Sequence, residues 1–334
     1  MTAQSGPTNG VVIDALQFSN WNRALFEELR AGGLTAVHVT ITYWEDARAT
    51  LTNIGRWQRR FREHGDIIMP AKSGADILEA QRLGKTAIIL GAQNCSPIDD
   101  ELALVEVMRE LGLMVMQLTY NNQSLIGAGC YETEDSGISR FGRRVIEEMN
   151  RVGMIVDLSH SAERTSLEAI EISDRPVAIT HANPSFFHDA LRNKSDALLK
   201  ALAESGGMLG FSLYPFHLKG GTDCRIEEFA AMVARSVDLM GIDHVGLGSD
   251  MCRNWGYETL EWMRSGRWTF AADYGEGTAE KPAWPDQPAW FRTPADTPNI
   301  ASALAEKGFT DDEVARIMGG NWLRFFTDGF EPRA

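Results

Sequence analysis

Two histidines and an aspartate close three apolar runs of this chain: MIVDLSH at 154–160, PVAITH at 176–181 and HVGLGSD at 244–250. Two neutral imidazoles and a carboxylate suit a divalent metal, with zinc the first expectation and manganese or iron the alternatives. A bound ion of this kind lowers the pKa of a water and polarises a carbonyl. His160 and His181 are therefore read as ligands. Asp250 is read as a third ligand or as the base that takes the water proton. Either histidine alone could be an ordinary hydrogen-bonded core residue; the weight rests on the three together.

Other groups surround this set in the sequence. Arg192 and Asn193 follow the run that ends at His181, and a guanidinium beside a metal site can grip a carboxylate with two parallel hydrogen bonds. Tyr120 closes another run and could donate to a developing oxyanion. The polar stretch after it carries Cys130 and Glu132, possible replacement ligands, although a loop held by its own hydrogen bonds is the plainer reading. His188 and His217 lie just past run ends, within reach of a substrate. Cys252 is near Asp250, but nothing in the sequence gives it the low pKa of a nucleophile.

Residues so far apart in sequence need a frame that brings them together. Eight short apolar runs occupy 11–17, 35–42, 86–93, 114–120, 154–160, 176–181, 208–214 and 244–250. They are nearly continuous in hydrophobicity, as strands buried on both faces are. Helical periodicity fills the gaps, at 22–31, 44–63, 75–83, 99–111, 139–152, 162–172, 196–204 and 226–240. Glycines 112, 153 and 241 stop three of these helices just before a strand. Eight alternating units predict one (β/α)8 barrel over residues 1–334, with the chemistry at the C-terminal strand ends. The alternative, a doubly wound open sheet, lacks a GxGxxG after its first strand. Residues 254–299 break the pattern with Trp, Gly and Pro and are read as an insertion or lid. Helices resume over about 300–327.

The 334 residues carry a net charge of -14, which speaks against nucleic acid as partner. No run is long enough to span a membrane, and the polar start of the chain has no leader pattern. Four scattered cysteines without CxxC spacing fit free thiols, so a cytoplasmic protein acting on a small molecule is expected.

The chain resembles the membrane (renal) dipeptidase family of barrel metallopeptidases. The resemblance runs from residue 11 to about 326. Its carriers are NRVGMIVDLSH at 150–160, PVAITH at 176–181, LRNK at 191–194, VGLGSD at 245–250 and GGNWLR at 319–324. It implies a two-metal site that cleaves dipeptides, with His160 and His181 on the second metal, Arg192 on the substrate carboxylate, Asp250 near the nucleophilic water and Tyr214 on the substrate side. It also implies a homodimer. At the first metal the chain departs from the family. Where the family has His-x-Asp, this sequence has Leu16 and Phe18; the bridging glutamate is replaced by Gln93, and a substrate-facing histidine by Tyr120. The expectation is one ion, held by His160, His181 and Gln93, in a hydrolase of small amides. A metal-assisted lyase or isomerase and a non-catalytic binding protein are the alternatives.

Overall fold

The computed structural model describes residues 10–265, 278, 280 and 283–333. Ten strands run in chain order: β1 Ile13–Ser19, β2 Ala36–Thr42, β3 Ile68–Pro70, β4 Thr86–Ala92, β5 Leu113–Gln117, β6 Ile155–Asp157, β7 Ala178–Ala182, β8 Met208–Phe211, β9 Val245–Leu247 and β10 Met251–Arg253. All pair in parallel. The order β1-β2-β4-β5-β6-β7-β8-β9 closes when Asp14 of β1 pairs with Leu247 of β9. These eight staves are the expected barrel. β10 prolongs the last stave beside β1, and β3 adds to the edge of β4 from outside the ring. The sequence reading missed β3, whose three residues lie between two helices and end in a proline.

Among the described residues, twelve α-helices surround the strands: α1 Arg23–Ala31, α2 Ala47–Glu63, α3 Gly74–Leu83, α4 Leu104–Glu110, α5 Arg140–Val152, α6 Glu163–Ile172, α7 Asp196–Glu204, α8 Ile226–Met240, α9 Tyr257–Ser265, α10 Thr297–Lys307, α11 Asp311–Ala315 and α12 Asn321–Gly329. Local chemistry sets their ends. Asn22, Asp46, Ser73, Ser139 and Ser195 each accept a backbone N–H of the first turn. Gly153 ends α5 at φ 72°, where a side chain would be strained. The Asp46 cap starts α2 at Ala47 rather than at 44, which leaves Tyr43 and Trp44 in the loop above β2.

The main core lies between strands and helices. A second cluster fills one end of the barrel, where Trp322, Phe325 and Phe326 of α12 pack with Ile13, Ile89 and Met114. The Trp322 indole N–H donates to Leu247 O at 3.0 Å. That end is closed by apolar rings, so the open end is the one reached by the C-terminal tips of the strands. Among the described residues, no helix is long and apolar enough to cross a membrane.

Candidate active site

His160 lies in the loop after β6 and His181 within β7, and both are buried. Their Nε2 atoms face each other at 3.1 Å, and Gln93 Oε1 stands 2.9 Å from that of His160. The hydrogen bonds behind the rings decide what these atoms are. Asp157 accepts the hydroxyl protons of Ser159 (2.6 Å) and Thr180 (2.5 Å). Having donated its proton, Thr180 Oγ1 is left to accept from His181 Nδ1 at 2.9 Å. His160 Nδ1 donates to Asn121 Oδ1 at 2.6 Å. Each ring thus carries its proton on Nδ1 and turns an Nε2 lone pair inward. Burial, and then the nearby Arg192 cation, hold both rings well below the usual histidine pKa, so both are neutral.

Three acceptors converging in a buried site repel one another unless a cation lies among them. Two nitrogens bound to one tetrahedral zinc at about 2.0–2.1 Å stand roughly 3.3 Å apart, close to the spacing here. The Asp157–Thr180–His181 chain and the Asn121 contact supply the outer support that metal-binding histidines need. The donor set therefore fits one divalent ion.

It does not fit two. Leu16 is fully buried and offers no donor. The Phe18 ring is packed against Tyr43 and Trp255, with both centroids at 4.7 Å. Among the described residues, no group of three or more His, Cys, Asp or Glu side chains could hold an ion. The rings of Phe18, Tyr43, Trp44 and Tyr120 form a cluster at the mouth.

The cavity beside His160 has a volume of about 80 Å³, and fully buried His181 is not part of its wall. Gln93, Tyr120, His160, Arg192, Tyr214 and Asp250 all reach its wall. Asp250 follows β9 with φ at +54°, an uncommon conformation for a residue with a side chain, held by its N–H to Leu16 O at 3.0 Å. Burial pushes its carboxyl up to about 7; Arg192 works against that rise and Asp14 adds to it. Burial also raises Tyr120 well above the ordinary phenol, so it stays a donor, and its ring lies on His160 at 4.3 Å. The Cys252 thiol is likewise pushed far up by burial and is no thiolate, as expected.

Arg192 is almost wholly buried. It donates to Ser159 O, and to His181 O at 3.0 Å, so it ties the loop that carries His160 to β7. Three expected contacts are placed elsewhere. Asn193 does not line the cavity; its amide donates to His188 O and His217 O and accepts from Asn183 N. Exposed Glu132 accepts from Gln123 N at 2.6 Å and braces its own loop instead of reaching the imidazoles. The Cys130 backbone N–H bonds His160 O, and its side chain is not part of the cavity wall. Of the two outlying histidines, His217 reaches the cavity and His188 does not.

The sequence reading did not single out Tyr43, Tyr131 or Phe216, and it expected a lid over 254–299 without naming the residues that form it. The roof comes from α9, through Leu260, Met263 and Arg264, together with Trp284. Two indole bonds tie it down: Trp44 to Met263 O and Trp284 to Gly256 O, both 3.1 Å. The rest of the predicted 254–299 insertion lies partly outside the described residues; α10 begins within it, at Thr297.

Residues 17–260 match the model of a family described as membrane dipeptidase (Peptidase family M19). The chain is 26% identical to dipeptidase tcpJ of Claviceps purpurea over 280 residues, 83% of this chain and 59% of that one. It is 27% identical to dipeptidase aclJ of Aspergillus oryzae over 295 residues, 85% of this chain and 62% of that one. The chain thus spans about three fifths of the length of these curated relatives. A crystal structure described as an amidohydrolase from Pseudomonas aeruginosa superimposes with a TM-score of 0.90 at 37% identity, covering 98% of this chain and 99% of that one. A structure described as dipeptidase AC, a metallopeptidase, gives 0.79 at 19% identity, with 96% and 98% covered, and shows the shared fold.

Proposed function

Since the chain belongs to the membrane dipeptidase family, we propose that it hydrolyses a small amide, dipeptide-like and bearing a free carboxylate, with one divalent ion rather than two. The observation that carries this reading is the pair of inward Nε2 lone pairs 3.1 Å apart, set against rings where a first metal would lie. His160, His181 and Gln93 would hold the ion, with zinc as the best match to two imidazoles. When bound, it supplies an activated water and a polarised carbonyl.

The chain's own residues do the rest. Asp250, whose carboxyl burial pushes up to about 7 and a bound cation would lower again, accepts a proton from the attacking water at neutral pH and can return it to the leaving amine. Tyr120, kept protonated by burial, donates to the oxygen that gains charge. Arg192 faces the substrate carboxylate, and Tyr214 closes that side of the cavity. The aromatic roof keeps bulk water from the reacting atoms. A homodimer in the cytoplasm completes the proposal; the four cysteines are all unpaired, as a reducing compartment allows.

A panel of dipeptides and N-acyl amino acids, incubated with metal-loaded protein in water enriched in heavy oxygen, tests the reaction class. Hydrolysis places one solvent oxygen in the new carboxylate. A product without solvent oxygen would point to a lyase or isomerase, and an untouched panel would remove the hydrolase reading.

A further inference from the structure

A second cavity, of about 240 Å³, lies on the other side of Tyr43 from the mouth. Phe18, Tyr43, Trp57, Trp255 and Trp262 give it flat aromatic walls. Its floor is the stacked Phe18–Trp255 pair, with rings 22° from parallel. Helix α9 is shared between the two cavities: Thr259 and Trp262 face this one, whereas Leu260 and Met263 face the mouth.

Two cations stand on its rim. Arg56 and Arg60 are one turn apart on α2, and both line the cavity. Some helical arginines pair with a glutamate three or four residues away, as Arg59 does with Glu63, Arg82 with Glu79, and Arg164 with Glu168. Among the described residues, neither Arg56 nor Arg60 has an ion pair. Arg56 donates to Asn53 Oδ1 at 3.0 Å, and the Arg60 guanidinium lies over the Trp57 ring at 5.0 Å. Two like charges at this spacing destabilise a helix, and a chain with a net charge of -14 has carboxylates to spare. The one carboxylate on the wall, Glu45, is turned into its own loop, accepting from Tyr43 N at 2.7 Å and Trp44 N at 3.2 Å. The indole nitrogens of Trp21 and Trp255, both at this wall, have no acceptor. The cavity therefore offers stacking faces and two cations that Glu45 on its wall does not pair with.

We propose that this outer cavity is a second ligand site, for a planar aromatic carboxylate. The ring lies among Trp57, Phe18, Trp255 and Trp262, and the carboxylate takes charge-assisted hydrogen bonds from Arg56 and Arg60. Binding there requires neither the metal nor the hydrolytic reaction.

Titration calorimetry of the full chain with 3-phenylpropionate tests it, with hexanoate and 2-phenylethylamine as probes lacking the ring and the negative charge. The expected result is one site for the aromatic acid, weaker binding of hexanoate and none of the amine. The double variant Arg56→Gln/Arg60→Gln replaces exposed Arg56 and half-buried Arg60 and should weaken the aromatic acid about tenfold or more, as loss of a charge-assisted bond does. His160→Ala, which alters the mouth, should leave that affinity unchanged. Unchanged affinity in the arginine variant, loss of binding in His160→Ala, equal binding of the amine or no binding of the acid would each overturn the proposal.

Discussion

Replacing Asp250 by asparagine should make the metal-free protein more stable at alkaline pH. In the folded chain the carboxyl is pushed up to about 7 because burial outweighs the attraction of Arg192. An ordinary aspartate ionises near about 3.9. The difference of roughly three units sets an upper bound of about 4 kcal/mol on the cost of ionising Asp250 in place, and its partial exposure lowers that figure. The sign follows from linkage. A raised folded pKa contributes stability that is fully present below the unfolded value and is lost as pH rises through the folded one. Between about pH 5 and about pH 8 wild type should therefore lose roughly 2 kcal/mol more than Asp250→Asn. Urea unfolding of the apo protein at the two pH values measures this directly, and other acids cancel in the comparison. The same group predicts that kcat/KM of the loaded enzyme climbs with pH to a plateau, with a midpoint below that of the metal-free carboxyl because a bound cation favours its charged form, and that Asp250→Asn lowers kcat by about a hundredfold or more. Parallel stability curves for the two proteins would refute the assignment of that pKa to Asp250.

Two further substitutions probe the supports of the site. Asp157→Asn removes the acceptor that orients Thr180 and thus His181, and should weaken metal binding about 10- to 100-fold in a competition assay with a chromogenic chelator; unaltered affinity would show that the chain of hydrogen bonds is dispensable. Phe18→Ala empties the space between Tyr43 and Trp255 and should cost about 3 kcal/mol or more in denaturant unfolding, because Phe18 is 7% exposed and packed on two faces. A loss below about 1 kcal/mol would mean that the rings do not hold the mouth together.

The barrel was readable because its strands are short, apolar and buried on both faces, a pattern that survives without knowledge of the partners. β3 escaped because three residues carry too little periodicity. His160, His181 and Asp250 were readable for a related reason: each is a polar residue where an apolar run should stop, and the fold brings such stops together. Tyr43 was not, because TYWED reads equally well as the start of the following helix, and only the Asp46 cap moves that boundary. The roof residues Met263, Arg264 and Trp284 sit in the stretch read as an insertion or lid, where the lack of strand or helix alternation does not show which residues reach the mouth. Asn193 and Glu132 were assigned on residue type alone. Their polar atoms are satisfied by nearby backbone in the fold, which a sequence does not display.

The central claim is a mononuclear centre on His160 and His181, with rings in place of a first metal. Elemental analysis of the purified protein after zinc or manganese loading and removal of excess ion tests it most directly. The account predicts about one ion per chain, and none in His160→Ala/His181→Ala. Two ions per chain, no ion in wild type, or an ion retained by the double variant would contradict it.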